Sequence, residues 1–192
     1  MRTERKALVR RELRERRVQI AQGRDLALDG LRIRDRVLDG PARALPAGAT
    51  VTLYESFGAE PVTGPLLAGL HEAALRVLLP ITLPDLDLDW FDAADPDRTP
   101  LGLDAIERVA LALIPGLSVD TGGTRLGQGG GCYDRALPRM PQTTYRIVLL
   151  HPGEVLTVSV LPRQDHDEVV DAAVTAEALT WLGERPGCRP TK

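Results

Sequence analysis

The stretch "ERVALALIPGLSVDTGGTRLGQGGGCYDRALPRM", residues 107–140, decides the fold. It opens on a continuous apolar run with no polar alternation. That is the pattern of a strand buried on both faces, as in a parallel sheet. Between Gly127 and Gly131, four of the five residues are glycine. A helical pattern then starts near Tyr133 or Asp134. Open α/β sheets bind ligands outside the carboxyl ends of their strands, in this order of strand, loop and helix. Gly127, Gly129, Gly130 and Gly131 lack Cβ atoms, so the backbone can turn with positive φ and approach an anion closely. A helix N-terminus adds unpaired N–H groups and a positive dipole. Arg125 offers a bidentate fork for phosphate oxygens. The loop is neither GxxxxGK[ST] nor a complete GxGxxG, so an anion cradle and a plain tight turn both stay open. So do two readings of Asp134, which either meets a phosphate through a bridging cation such as Mg²⁺ or N-caps the helix.

Outward from this stretch, strands and helices alternate. Residues 3–22 read as a helix with Val9, Leu13 and Ile20 on one narrow apolar face. Lys6, Arg10 and Arg17, with Arg14 at the margin, form a basic stripe beside it. A second helix runs from Asp25 as N-cap to about Leu38, with Leu26, Ile33 and Val37 inward and Gly30 weakening it. Strand patterns follow at 50–56, 76–81, 86–92 and 145–151, and a helix at 62–75. Residues 166–182 read as a loop, a short strand and a short helix with Trp181 in the core. This alternation predicts an α/β fold with a mainly parallel sheet. A single domain is expected over 1–184, with 185–192 a tail without order.

Composition narrows the function. The formal charge of −3 argues against a nucleic-acid partner. Cys132 and Cys188 form no disulfide framework, which together with the absence of an apolar leader favours the cytoplasm. No segment reaches the length of a membrane span, and three scattered histidines argue against zinc. His71 reads as a helix-surface residue, His151 as a strand end, and His166 as orienting Asp167. Of 24 basic residues only Lys6 and Lys192 are lysines. Lys6 is either a compact point charge for phosphate or a chance residue on a solvated face. Cys132 reads as a small packing residue or as a reactive thiol at a helix start.

Several motifs together resemble the 5-formyltetrahydrofolate cyclo-ligase family. They are "RLGQGGGCYDRAL" after "IPGLSVDTGG", "LPRQDHDEVVDAAVT" near the end, the Lys6-xxx-Arg10 pair, and Glu60 in "AEPVT". The resemblance implies a three-layer α/β/α Rossmann-like sandwich and ATP- and Mg²⁺-dependent conversion of 5-formyltetrahydrofolate to 5,10-methenyltetrahydrofolate. It implies that Lys6 and Arg10 contact ATP phosphates and that Arg125, Leu126, Gly127, Gln128, Gly129, Gly130, Gly131, Cys132 and Tyr133 wrap the nucleotide. Lys6 and Arg125 would carry the catalysis. Glu60 and Tyr133 would bind the folate, and Asp134 and Asp167 would hold Mg²⁺. The expected partners are these two small molecules, with no membrane, in a monomer or weak homodimer. The chain departs from the family pattern at Cys132, at Gln128 and in the segment 91–109.

Overall fold

The computed structural model describes residues 2–158, 160–164 and 167–183. His166, Cys188 and the expected tail lie outside the described residues. The apolar run is strand β4 (Val109–Pro115), at the centre of a seven-stranded sheet ordered β3-β2-β1-β4-β7-β8-β9. Its neighbours are β1 (Thr50–Thr52) and β7 (Tyr145–Leu149), both parallel to it. Next come β2 (Arg76–Thr82), parallel to β1, and β8 (Ala172–Val174), parallel to β7. The edges are antiparallel: β3 (Leu88–Asp92) on β2, and β9 (Leu179–Trp181) on β8. A separate two-stranded ribbon, β5 (Ser118–Val119) with β6 (Arg125–Leu126), carries the chain into the glycine loop.

The uninterrupted apolarity of β4 is accounted for by its two covered faces. Leu111 and Leu113 join the core under helices α2 (Leu26–Asp39) and α3 (Gly64–Glu72), with Ile33, Val37, Leu66 and Leu70. Ala112 and Ile114 join the opposite core, with Trp90, Ile106, Leu137 and Met140. That second layer is thin: short helix α4 (Cys132–Ala136) and two 3₁₀ turns, Leu103–Ile106 and Leu137–Arg139. Asp25 caps α2 as expected, accepting from Leu28 N at 3.0 Å. Gly30 has a reason beyond tolerance. A Cβ there would lie 3.0 Å from the Val62 carbonyl oxygen, so glycine lets α2 lie against the entry to α3.

Two expectations fail for physical reasons. The stretch "AEALTWL" is strand β9 and a turn rather than a helix. Its turn is closed by Thr175, whose N–H donates to Ala178 O at 2.9 Å and whose Oγ1 accepts from Glu177 N and Ala178 N at 3.1 and 3.0 Å. The open edge of β8 then takes the segment as its partner, so pairing overrides helix propensity. Trp181 is consequently 40% exposed on that edge, packed edge-on against Tyr145, and not in a helix core.

The second failure concerns helix α1 (Arg2–Gln22). Its length is as expected, but Val9, Leu13 and Ile20 are only half-buried. Lys6 and Arg17, each 4% exposed, are its most deeply buried described residues. The helix docks by its cations. No helix among the described residues is long and apolar enough to cross a membrane.

Candidate active site

The sheet order reverses between β1 and β4: the chain runs from β1 outward to β2 and then returns to β4 on the other side. Such a switch point opens a crevice at the carboxyl ends of the strands. A cavity of about 530 Å³ lies there. Tyr54 and Glu55 beyond β1, Pro80 and Thr82 on β2, and Pro115 and Gly116 at the end of β4 line it. The glycine loop, Lys6, Arg10, Glu60 and Asp167 complete the wall.

Helix α1 docks beside this crevice through Lys6, Arg10, Arg14 and Arg17, spaced at i, i+4, i+8 and i+11 so that they share one face, and Lys6 and Arg10 line the cavity itself. Lys6 Nζ donates to Gln164 Oε1 at 3.1 Å and pairs closely with the Asp167 carboxylate. Arg10 Nε donates to Gly127 O at 3.0 Å. Arg14 donates to Gln128 Oε1 at 2.8 Å and to Gln128 O at 2.6 Å. Arg17 forks onto Glu154 at 2.7 and 2.8 Å and also donates to Gly116 O. A buried pair of this kind holds only when both charges are fully engaged. Here Glu154 further accepts from His151 N at 2.8 Å.

Arg125 stands at the loop's entrance, deeply buried. Its Nη1 donates to Pro115 O at 3.2 Å and its Nη2 to Asp134 Oδ1 at 3.1 Å. Its guanidinium lies 5.8 Å from the centre of the Tyr133 ring. The Arg125 side chain threads between two glycines: a Cβ on Gly116 would come 3.3 Å from its Cγ, and one on Gly127 2.6 Å from its Nη1. Gly129 and Gly131 adopt φ of +119° and +70°, a region costly for residues with a Cβ. The turn that these glycines allow delivers the chain into α4, whose N-cap position is Gly131. The N-cap reading of Asp134 is thereby overturned, because Asp134 lies inside α4 and pairs with Arg125.

On the β1 side, Thr63 Oγ1 donates to Tyr54 O at 2.8 Å and accepts from Ser56 N at 3.1 Å. This cross-link shapes the 54–63 loop. Within it, Glu60 N donates to Phe57 O at 3.2 Å while Phe57 N donates to Glu60 Oε2 at 3.2 Å. His151 Nε2 meets Ala59 O at 2.9 Å from below. Burial pushes the Glu60 carboxyl above its ordinary range, and the Phe57 N–H opposes part of that shift. Burial and the neighbouring Arg14 lower the pKa of Arg10, against the pull of Asp167 and Asp134.

A model of the 5-formyltetrahydrofolate cyclo-ligase family matches residues 2–176. The chain belongs to this family. The 5-formyltetrahydrofolate cyclo-ligase of Mycolicibacterium smegmatis is 31% identical over 166 residues, covering 73% of this chain and 84% of that relative. Two solved 5,10-methenyltetrahydrofolate synthetases share the fold. The Mycoplasma pneumoniae protein has a TM-score of 0.71 at 18% identity, covering 88% of this chain and 99% of its own. The Aquifex aeolicus protein has a TM-score of 0.71 at 19% identity, covering 96% of each.

For this family member, every residue expected at the site lines the one cavity: Lys6, Arg10, Glu60, Arg125, residues 126–133, Asp134 and Asp167. None of the residues 91–109 lines it, and the divergent segment touches the wall from outside, Arg98 donating to the lining residue Glu55 at 3.0 and 2.6 Å. Among the described residues no three His, Cys, Asp or Glu side chains cluster as metal ligands. An all-protein metal cage therefore does not fit. A hard divalent ion held by one or two carboxylates and by ligand phosphates does fit, with Asp134 and Asp167 as donors. Sequence reasoning missed Tyr54, Phe57 and Gln164 in the lining. The signal for Tyr54 and Phe57 was their position just beyond a strand's carboxyl end; Gln164 carried none.

Proposed function

We propose that this enzyme, a cyclo-ligase, closes 5-formyltetrahydrofolate to 5,10-methenyltetrahydrofolate using ATP and Mg²⁺, releasing ADP and phosphate, in the cavity between β1 and β4. One observation carries the reading: Lys6, Arg10 and Arg125 converge on a positive-φ glycine loop in a cavity that also contains the buried carboxyl of Glu60. The first set suits a nucleoside triphosphate. The second suits the N–H-rich edge of a pterin.

The formyl group on N5 is an amide, and its oxygen is a poor leaving group. Attack of that oxygen on the γ-phosphoryl group expels ADP and leaves the formyl carbon electrophilic. N10 then bonds to that carbon, its proton passes to the departing phosphate, and the C–O bond breaks. Phosphoryl transfer asks the protein chiefly for positioning and charge stabilisation. Lys6 supplies a compact charge to the transferring group, and Arg125 with the loop N–H groups stabilises its oxygens. Arg10 and residues 126–133 hold the nucleotide, while Glu60 and Tyr133 hold the folate. Asp134 and Asp167 would hold Mg²⁺, which would supply positive charge to the phosphates. The pairs Lys6–Asp167 and Arg125–Asp134 keep these four charges matched until ligands arrive. The cytoplasm fits this reading, since Cys132 borders the cavity as a free thiol.

The test is turnover. Purified protein with 5-formyltetrahydrofolate, ATP and Mg²⁺ develops the methenyl chromophore with one phosphate per product, and Lys6→Ala loses this by about 100-fold or more. No chromophore from the wild-type chain overturns the reading.

A further inference from the structure

Two residues of the cavity lining, Tyr54 and Tyr133, carry buried hydroxyls that have no hydrogen-bond partner among the described residues. Tyr54 as a whole residue is only 4% exposed. Buried hydroxyls are normally paired, because an unpaired one forfeits its water without replacement. The position of Tyr54 is not loose. Its carbonyl is held by Thr63 Oγ1, and it lies two residues beyond the end of strand β1. The side chain is therefore fixed with an unmet donor in the crevice wall. Burial, and then the negative charge of Glu60, push the Tyr54 phenol well above its ordinary range. The neutral Tyr54 phenol is a hydrogen-bond donor in this wall.

We infer that Tyr54 is a substrate-binding residue that donates a hydrogen bond to a carbonyl oxygen of the bicyclic head of the folate. This rests on the function proposed above and extends it to a residue that neither family motif nor spacing singled out. The chemistry favours this partner over a phosphate. Glu60 is an acceptor, and it takes the adjacent N–H and NH₂ donors of a pterin edge. The next group along that edge is a carbonyl oxygen, which needs a donor. Tyr54, Glu60 and Tyr133 line the same cavity. One acceptor and two phenolic donors therefore stand together, a set complementary to an edge that alternates donors and acceptors. The cations that suit phosphate lie instead along α1 and at Arg125.

The test is Tyr54→Phe, which removes one oxygen and nothing else. The expected result is an approximately tenfold weaker KM and equilibrium binding of 5-formyltetrahydrofolate, with the KM for Mg-ATP unchanged. The Tm of the ligand-free variant should equal or exceed that of the wild type, because an unpaired buried hydroxyl is lost. Unchanged folate binding overturns the inference. So does a joint loss of Tm, ATP affinity and folate affinity, which would mark Tyr54 as structural. Binding of 5-formyltetrahydrofolate is titrated without ATP as well. Wild-type protein that binds folate but never turns it over contradicts the proposed function alone, and Tyr54→Phe still decides the hydroxyl. Wild-type protein that binds no folate contradicts both.

Discussion

Glu60, proposed above to bind folate, is a carboxyl whose burial costs stability. Its folded pKa is raised above the ordinary 4.5, first by burial. Between that ordinary value and the raised one, the folded chain holds more protons than the unfolded chain, so stability falls as pH rises through this window. Above the raised value the whole penalty of a buried carboxylate is present. Glu60→Gln is therefore expected to raise Tm at neutral pH, with the gain disappearing once the pH falls below the ordinary glutamate range. The same variant loses folate affinity. Thermal melts across pH check the first half, and a gain that grows toward acid would contradict it. Residue-level chemistry was partly legible in the sequence. Lys6, Arg125 and Asp134 are chemical types with an evident use near phosphate, whereas Glu60 was marked only by the family resemblance. Tyr54 was not legible, because a tyrosine in an apolar strand pattern looks like core until its hydroxyl is found without a partner.

At the scale of elements, helix α1 separates pattern from burial. The 3.6-residue period correctly grouped Lys6, Arg10 and Arg17, yet hydrophobicity chose the wrong face as the buried one. Cations bury when carboxylates and carbonyls across the interface satisfy them, and those partners lie 99 to 161 residues away in the chain. No local window contains them. Arg17→Ala strands Glu154 as an unpaired buried charge, and the expected loss is about 3–5 kcal/mol. Denaturant unfolding measures it. Arg17 paired with the deeply buried Glu154 is the anchor, while the exposed Arg14 bonds to Gln128 add little. Strand β9 teaches the same lesson from the other side: its composition favours helix, and only the free edge of β8 makes it a strand.

For the whole molecule, the fold class was legible because β4 is apolar on both faces and is followed at once by glycines. The strand order was not, since nothing local says that the chain crosses from β3 back past β2 and β1 to reach β4. That crossing creates the crevice. It brings the amino end of α1, the loop after β6 and Asp167 together from three distant parts of the chain. The site is thus a property of topology, and its central chemical claim is that the formyl oxygen leaves as part of phosphate. The most direct measurement is turnover of 5-formyltetrahydrofolate labelled with oxygen-18 in the formyl group, in the presence of Mg-ATP. The account predicts that each released phosphate carries one labelled oxygen. Unlabelled phosphate, with methenyltetrahydrofolate still formed, would contradict it.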